Sequence, residues 1–176
     1  MVKYDLKKRI RLGILGGTFD PAHQGHLKIS SIAKKLFKLN KIIWAITKQN
    51  PFKKKSFYSL SKRLKIAKIL TKKKGYVTVG FYEKKIRSNK TIKLINLFKK
   101  NSHNEIFFII GADNLINFHK WNSWYKIGVL SRILVFDRYG YKKKSKKSVA
   151  YKKLKRKGLK YITCLLYTSD AADDLV

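Results

Sequence analysis

Residues 13–26 read Gly-Ile-Leu-Gly-Gly-Thr-Phe-Asp-Pro-Ala-His-Gln-Gly-His, a glycine-rich segment that ends on two histidines three positions apart. Gly16 and Gly17 let the backbone come close to a phosphate and turn its N–H groups toward it. If the loop runs into a helix, the helix start adds free N–H donors and a partial positive charge. Thr18 adds a hydroxyl, and His23 and His26 at i, i+3 face the same anion. Gly25 between them leaves room for a bulky ligand. The chemistry this suits is a triphosphate lying across a helix start with imidazoles donating to its oxygens. Two neighbouring histidines also suit a metal ion, and a glycine-rich strand-to-helix turn by itself serves packing in many folds. The string lacks the Gly-Lys-Ser/Thr ending of the Walker loop and the Gly-x-Gly-x-x-Gly spacing of the dinucleotide fingerprint.

A second group follows the apolar run at 105–110, where Gly111 and Asp113 stand just past a strand end. In open α/β sheets ligands bind at that edge. Asp113 can accept hydrogen bonds from a ribose or a substrate amide, and it can also cap the next helix. Asp20, before a proline, reads as a residue that orients its loop.

The elements that must carry these residues alternate along the chain. Residues 11–15 form a short apolar run that ends in glycines, a buried first strand. Residues 26–37 show helical spacing, and 41–47 a second buried strand. That β-loop-α-β unit favours a parallel sheet with a right-handed crossover. Beyond it the pattern predicts a loop at 49–58 with a lysine triplet at 53–55, a helix over 59–73 capped by Ser59 or Ser61, and a strand over 76–81. A helix over 91–100, a strand over 105–110 and one or two short aromatic-rich helices within 113–127 come next. A strand over 132–136, an exposed basic loop at 139–147, a helical stretch at 152–157 and a last strand from 159 complete it. The expected fold class is α/β, a Rossmann-like doubly wound parallel sheet with flanking helices in a single domain.

Composition bounds the rest. The chain has 176 residues, 44% hydrophobic and 13% aromatic, which suits one globular domain with a real core. Its formal charge is +34, from 43 Lys and Arg against 9 Asp and Glu. The basic residues are mostly Lys and run along the whole chain, whereas nucleic-acid sites cluster their charge and use Arg on base edges. A nucleic-acid partner is therefore disfavoured, although the positive field would draw in a polyanion such as ATP. Cys164 is the single cysteine, which excludes an internal disulfide and a cysteine-based zinc site. With neither a signal-peptide pattern nor a run of about 18 apolar residues, no membrane partner and a cytoplasmic location are expected.

Taken together, Gly16-Gly17-Thr18-Phe19-Asp20-Pro21 and His23-x-Gly25-His26 resemble the signature of the adenylyltransferase and cytidylyltransferase superfamily with the His-x-Gly-His motif. Phe108-Ile109-Ile110-Gly111-Ala112-Asp113-Asn114-Leu115 with Phe118-His119-Lys120-Trp121 resembles the bacterial nicotinate-mononucleotide adenylyltransferase family. Asn50-Pro51-Phe52-Lys53 and Asp137-Arg138-Tyr139-Gly140-Tyr141 are similar to that family too, with Tyr139 where proline is usual. The resemblance spans about residues 10–163. It implies transfer of AMP from ATP to nicotinate mononucleotide, giving deamido-NAD and pyrophosphate by in-line attack, with Mg²⁺ bridging the phosphates. On this resemblance His23 and His26 are catalytic. Gly16, Gly17, Thr18, Phe19, Gly111 and Asp113 bind ATP. Thr91, Trp121, Lys53 and Arg138 bind the substrates, and Trp121 stacks on the pyridine ring. Trp124 reads as core. The implied partners are ATP and nicotinate mononucleotide, and a homo-oligomer is compatible with the sequence.

The family normally continues into Ile-Ser-Ser-Thr-x-Ile-Arg and a terminal helix, and nothing similar follows Thr163 here. Residues 164–176 carry no Lys or Arg and hold Asp170, Asp173 and Asp174. They read as an unrelated or artefactual tail after a 1–163 domain, which sets the expectation of reduced turnover. The alternatives are another adenylyltransferase of the superfamily, such as the pantetheine-phosphate enzyme, and a basic nucleic-acid-binding module.

Overall fold

The computed structural model describes residues 10–49, 55–100 and 103–163. Lys53, its Asn50-Pro51-Phe52-Lys53 string and the 164–176 segment lie outside the described residues. Six strands form one sheet: β1 (Arg11–Gly17), β2 (Lys41–Ile46), β3 (Val77–Gly80), β4 (Glu105–Gly111), β5 (Arg132–Phe136) and β6 (Lys160–Ile162). Every pairing is parallel, and the order is β3-β2-β1-β4-β5-β6. The chain winds outward from β1 in one direction and from β4 in the other. β1 and β4 are neighbours, and between them the connections diverge and leave a crevice at the carboxyl ends.

The helices are α1 (Gln24–Phe37), α2 (Leu60–Thr71), α3 (Glu83–Ile86), α4 (Thr91–Lys99), α5 (Ala112–Asn117), α6 (Trp124–Leu130), α7 (Lys142–Lys147) and α8 (Val149–Leu154). A 3₁₀ turn at Phe118–Lys120 links α5 to α6. Strand side chains alternate between faces. Ile14, Ile43, Phe108, Ile110 and Val135 pack on one side with α4, α5, α6 and α8. Leu15, Ile42, Trp44, Ile109 and Phe136 pack on the other with α1 and α2. A sheet covered on both faces needs apolar runs rather than alternation, and this is why 41–46 and 105–110 read as near-continuous hydrophobic stretches.

The expected doubly wound α/β domain is therefore present, with local differences. β1 runs on through Gly16 and Gly17, and α1 begins at Gln24 because His23, not Gly25 or His26, takes the capping position. Residues 139–147, expected as a loop, contain α7. Its sequence Lys-Lys-Lys-Ser-Lys-Lys has no apolar face, but Ser145 is fully buried and its hydroxyl meets Tyr161 Oη at 3.0 Å. Tertiary contact thus sets the conformation where periodicity gave none. The four-residue α3 is too short to leave a periodic signal, and α8 begins three residues before the expected helical stretch.

Candidate active site

The loop after β1 and the start of α1 are built by the histidines themselves. His23 is the N-cap of α1, and its Nδ1 accepts from the Gly25 N–H at 3.1 Å. His26 Nδ1 accepts from the His23 N–H at 3.3 Å. Two backbone donors at the helix start are thereby satisfied by side chains. With both Nδ1 atoms accepting, the neutral rings carry their protons on Nε2, the donors that phosphate oxygens require. The two rings lie 4.0 Å apart between centroids. His26 packs on Phe19 at 4.7 Å, and Phe19 stacks on Trp44 at 5.0 Å. Trp44 is fully buried and donates from Nε1 to Ser30 Oγ of α1 at 2.8 Å. The half-buried His26 is thus seated on a rigid aromatic stack, with His23 outermost. No acidic residue sits in the first turn of α1, so its positive end is not offset by a carboxylate.

Asp20 accepts from the backbone amides of Phe57 and of Tyr58, the latter at 2.9 Å. It ties the loop to the segment before α2, the orienting part assigned to it from sequence. Arg63 of α2 went unnoticed there. It is 2% exposed and bonds to the carbonyls of Tyr58, Thr18, Thr47 and Lys48. Bonds to main-chain carbonyls do not depend on the partners' side chains and leave no motif.

Beside the glycine loop opens a cavity of about 290 Å³. Gly16, Gly17, Thr18, Tyr82, Thr91, Phe108, Asn114 and Trp121 are among the residues that line it. Trp121 is half-buried, tilted against Phe118 at 5.2 Å and edge-on to Phe108 at 6.2 Å. Trp124 packs against the core cluster, as read from sequence. Glu83 of α3 closes the rim: its carboxylate accepts from Thr47 Oγ1 and from the Lys48 N–H, the latter at 3.2 Å. Glu83 was absent from the sequence reading because α3 was. Tyr82, at the α3 start, has its pKa raised by burial, so its phenol stays neutral.

The predicted residues fall into three neighbouring groups rather than one. Gly16, Gly17, Thr18, Thr91 and Trp121 line the cavity. Phe19, His23 and His26 stand together at the α1 start, outside the cavity lining. Gly111 and Asp113 stand at the end of β4, where Asp113 Oδ2 pairs with Arg138 Nη1 at 3.0 Å. Arg138 and Asp113, both expected on ligands, therefore hold each other in this state. The first two groups share the β1 loop, and the third lies across the β1/β4 crevice.

Comparison with known proteins shows the family. The family model described as cytidylyltransferase-like matches residues 14–160. A protein of Pelagibacter ubique, named as a probable nicotinate-nucleotide adenylyltransferase, is 56% identical over 156 residues, covering 89% of this chain and 87% of its own. A protein of Clostridium botulinum with the same name is 40% identical over 136 residues, covering 76% of this chain and 68% of its own. Among solved structures, the nicotinic acid mononucleotide adenylyltransferase of Plasmodium falciparum complexed with APC superposes with a TM-score of 0.68 at 17% identity, over 87% of this chain and 73% of that one. At that identity the likeness speaks for the fold alone. The chain belongs to the cytidylyltransferase-like family, among its nicotinate-nucleotide adenylyltransferases.

Proposed function

We propose that this chain transfers AMP from ATP to nicotinate mononucleotide, releasing pyrophosphate and deamido-NAD. One observation carries the reading: a cavity of pyridine-nucleotide size runs from Trp121 and Thr91 to the glycine loop that ends on His23 and His26. In this reading the pyridine ring lies against Trp121 and the 5′-phosphate reaches the loop. A phosphate oxygen of the mononucleotide attacks the α-phosphorus of ATP in line. A bond forms there as the bond to the bridging oxygen of the β-phosphate breaks, and pyrophosphate leaves. The chain's residues position and stabilise charge. Gly16 and Gly17 lie in the sheet ladder and give the close approach, while the backbone N–H groups of Thr18 and Phe19 and the Nε2–H donors of His23 and His26 face the oxygens on which charge builds. Asp113 takes a ribose hydroxyl once Arg138 swings from it to a phosphate. Lys53 is assigned to the phosphates by resemblance. Mg²⁺ belongs to the reading as a charge-neutralising partner of the ATP phosphates, whose oxygens are its preferred hard ligands. No described helix is long and apolar enough to cross a membrane, which is compatible with work in the cytoplasm.

The test is pyrophosphate release from ATP with nicotinate mononucleotide, nicotinamide mononucleotide or phosphopantetheine, for the wild type and for His26→Ala. Release with nicotinate mononucleotide is expected to be fastest, and His26→Ala is expected to lower kcat by about 10²–10³-fold. An unaffected mutant, or faster turnover of phosphopantetheine, would reject the assignment.

A further inference from the structure

Arg63 is a buried cation held by main chain alone. Nε donates to Tyr58 O at 3.0 Å, one Nη to Thr18 O at 2.6 Å and Thr47 O at 2.8 Å, and the other Nη to Lys48 O at 2.9 Å. Four of the guanidinium's five N–H bonds are thus used. Among the described residues no carboxylate pairs with it. A charge 2% exposed persists without a counter-ion only if dipoles solvate it, and four carbonyls pointed at one group do so. They come from three segments: the loop after β1, the end of β2 and the turn before α2.

We infer that Arg63 is the positioning residue of the phosphate-binding loop, setting which way its peptide planes face. A trans peptide carries its carbonyl and the following N–H on opposite sides. Thr18 O is drawn to Arg63, so the Phe19 N–H is turned away from it. The neighbouring plane shows the same rule: Thr47 O faces Arg63, and the Lys48 N–H points the other way, to Glu83 on the cavity rim at 3.2 Å. Phe19 needs such a clamp, because its φ of 50° lies in the left-handed region that non-glycine residues leave when unrestrained. The ring is closed by Asp20, which accepts from the amides of Phe57 and Tyr58, while Tyr58 O accepts from Arg63. Lysine carries the same charge but cannot span four carbonyls in a fixed fork. The inference rests on the reading that Thr18 and Phe19, beside Gly16 and Gly17, hold the ATP phosphates.

The test uses the full chain with Arg63→Lys, Arg63→Met and Arg63→Ala. Thermal unfolding gives the folded fraction, calorimetry gives the ATP Kd, and pyrophosphate release gives kcat and KM, all per folded molecule. Arg63→Lys is expected to weaken ATP binding about tenfold or more and to lower kcat, because the Phe19 N–H beyond the Thr18 carbonyl loses its fixed direction. Free guanidinium is expected to restore ATP affinity to Arg63→Ala, and urea at the same concentration is not. Wild-type ATP affinity per folded molecule in Arg63→Lys or Arg63→Met overturns the inference. So does guanidinium that restores stability in Arg63→Ala without restoring ATP affinity. If the wild type binds ATP but releases no pyrophosphate with nicotinate mononucleotide, the acceptor assignment fails while the Arg63 inference is still read from the ATP Kd. A wild type that does not bind ATP sinks both.

Discussion

The aromatic stack beneath His26 gives residue-level leverage on the site without touching the histidines. Trp44 Nε1 is buried and its hydrogen bond goes to Ser30 Oγ. Ser30→Ala leaves that donor without its partner, which costs about 1–3 kcal/mol and frees the base on which Phe19 and His26 rest. Chemical denaturation of the variant is expected to show that loss, together with a lower kcat per folded molecule. An unchanged denaturation midpoint would mean that the Trp44 bond carries no net weight. Trp121 offers a separate test. Its ring lines the cavity, and stacking on a pyridine contributes about 0.5–1.5 kcal/mol. Trp121→Ala is expected to raise KM for nicotinate mononucleotide by about threefold to tenfold, with KM for ATP nearly unchanged, in steady-state assays. At this scale the sequence spoke plainly where side-chain type at fixed spacing matters, as with His23 and His26, which the structure brings together at the start of α1. It was silent on Arg63, whose partners are main-chain carbonyls, and on Glu83, whose helix it hid.

At the level of elements, apolar runs of strand length between helical stretches were enough to reveal the doubly wound sheet. The short helices α3 and α7 were not legible, because fewer than two turns carry no period and their geometry is set by distant partners. Gly13 shows how tightly the central strand is packed. A Cβ placed there would come 2.9 Å from Leu39 Cδ1, 3.1 Å from Ile42 Cγ1 and 3.3 Å from Ile109 Cδ1, all of them buried side chains that would have to shift. Gly13→Ala is expected to destabilise by about 1–3 kcal/mol through overpacking, read as a lower denaturation midpoint. No change would mean that α1 and its following turn yield readily. At the far edge, Tyr161 of β6 donates to Asp137 Oδ1 at 2.8 Å and contacts Ser145 of α7. Burial and then the Asp137 carboxylate push its pKa up to about 12, against the Ser145 bond, which lowers it. The unfolded chain therefore releases this proton first. Stability from the Tyr161 phenol is complete below the ordinary tyrosine value of 10.0 and falls as pH rises from there through about 12. Denaturation curves across that range should steepen in pH dependence for the wild type and flatten in Tyr161→Phe; parallel curves would refute the linkage.

For the whole molecule the governing quantity is a formal charge of +34. The lysines are mostly exposed, and the ion pairs among the described residues, Arg11–Glu105, Arg132–Glu105 and Arg138–Asp113, engage few of the cations. Such a surface repels itself and attracts polyanions over a distance set by salt, about 10 Å at 0.1 M. In the proposed reading, hydrogen bonds to phosphate at the β1 loop would be much shorter than that length, so screening would act on capture of ATP more than on the bonds that assist transfer. Raising sodium chloride from about 50 to about 500 mM is therefore expected to raise KM for ATP several-fold while kcat changes little. The same change should raise the thermal midpoint, since self-repulsion is screened. A chain whose charge served nucleic-acid binding would instead bind DNA or RNA with a steep logarithmic salt slope. Flat KM across the salt range would show that the field does no steering, and the lysines would then be accounted for by solvation of the surface alone.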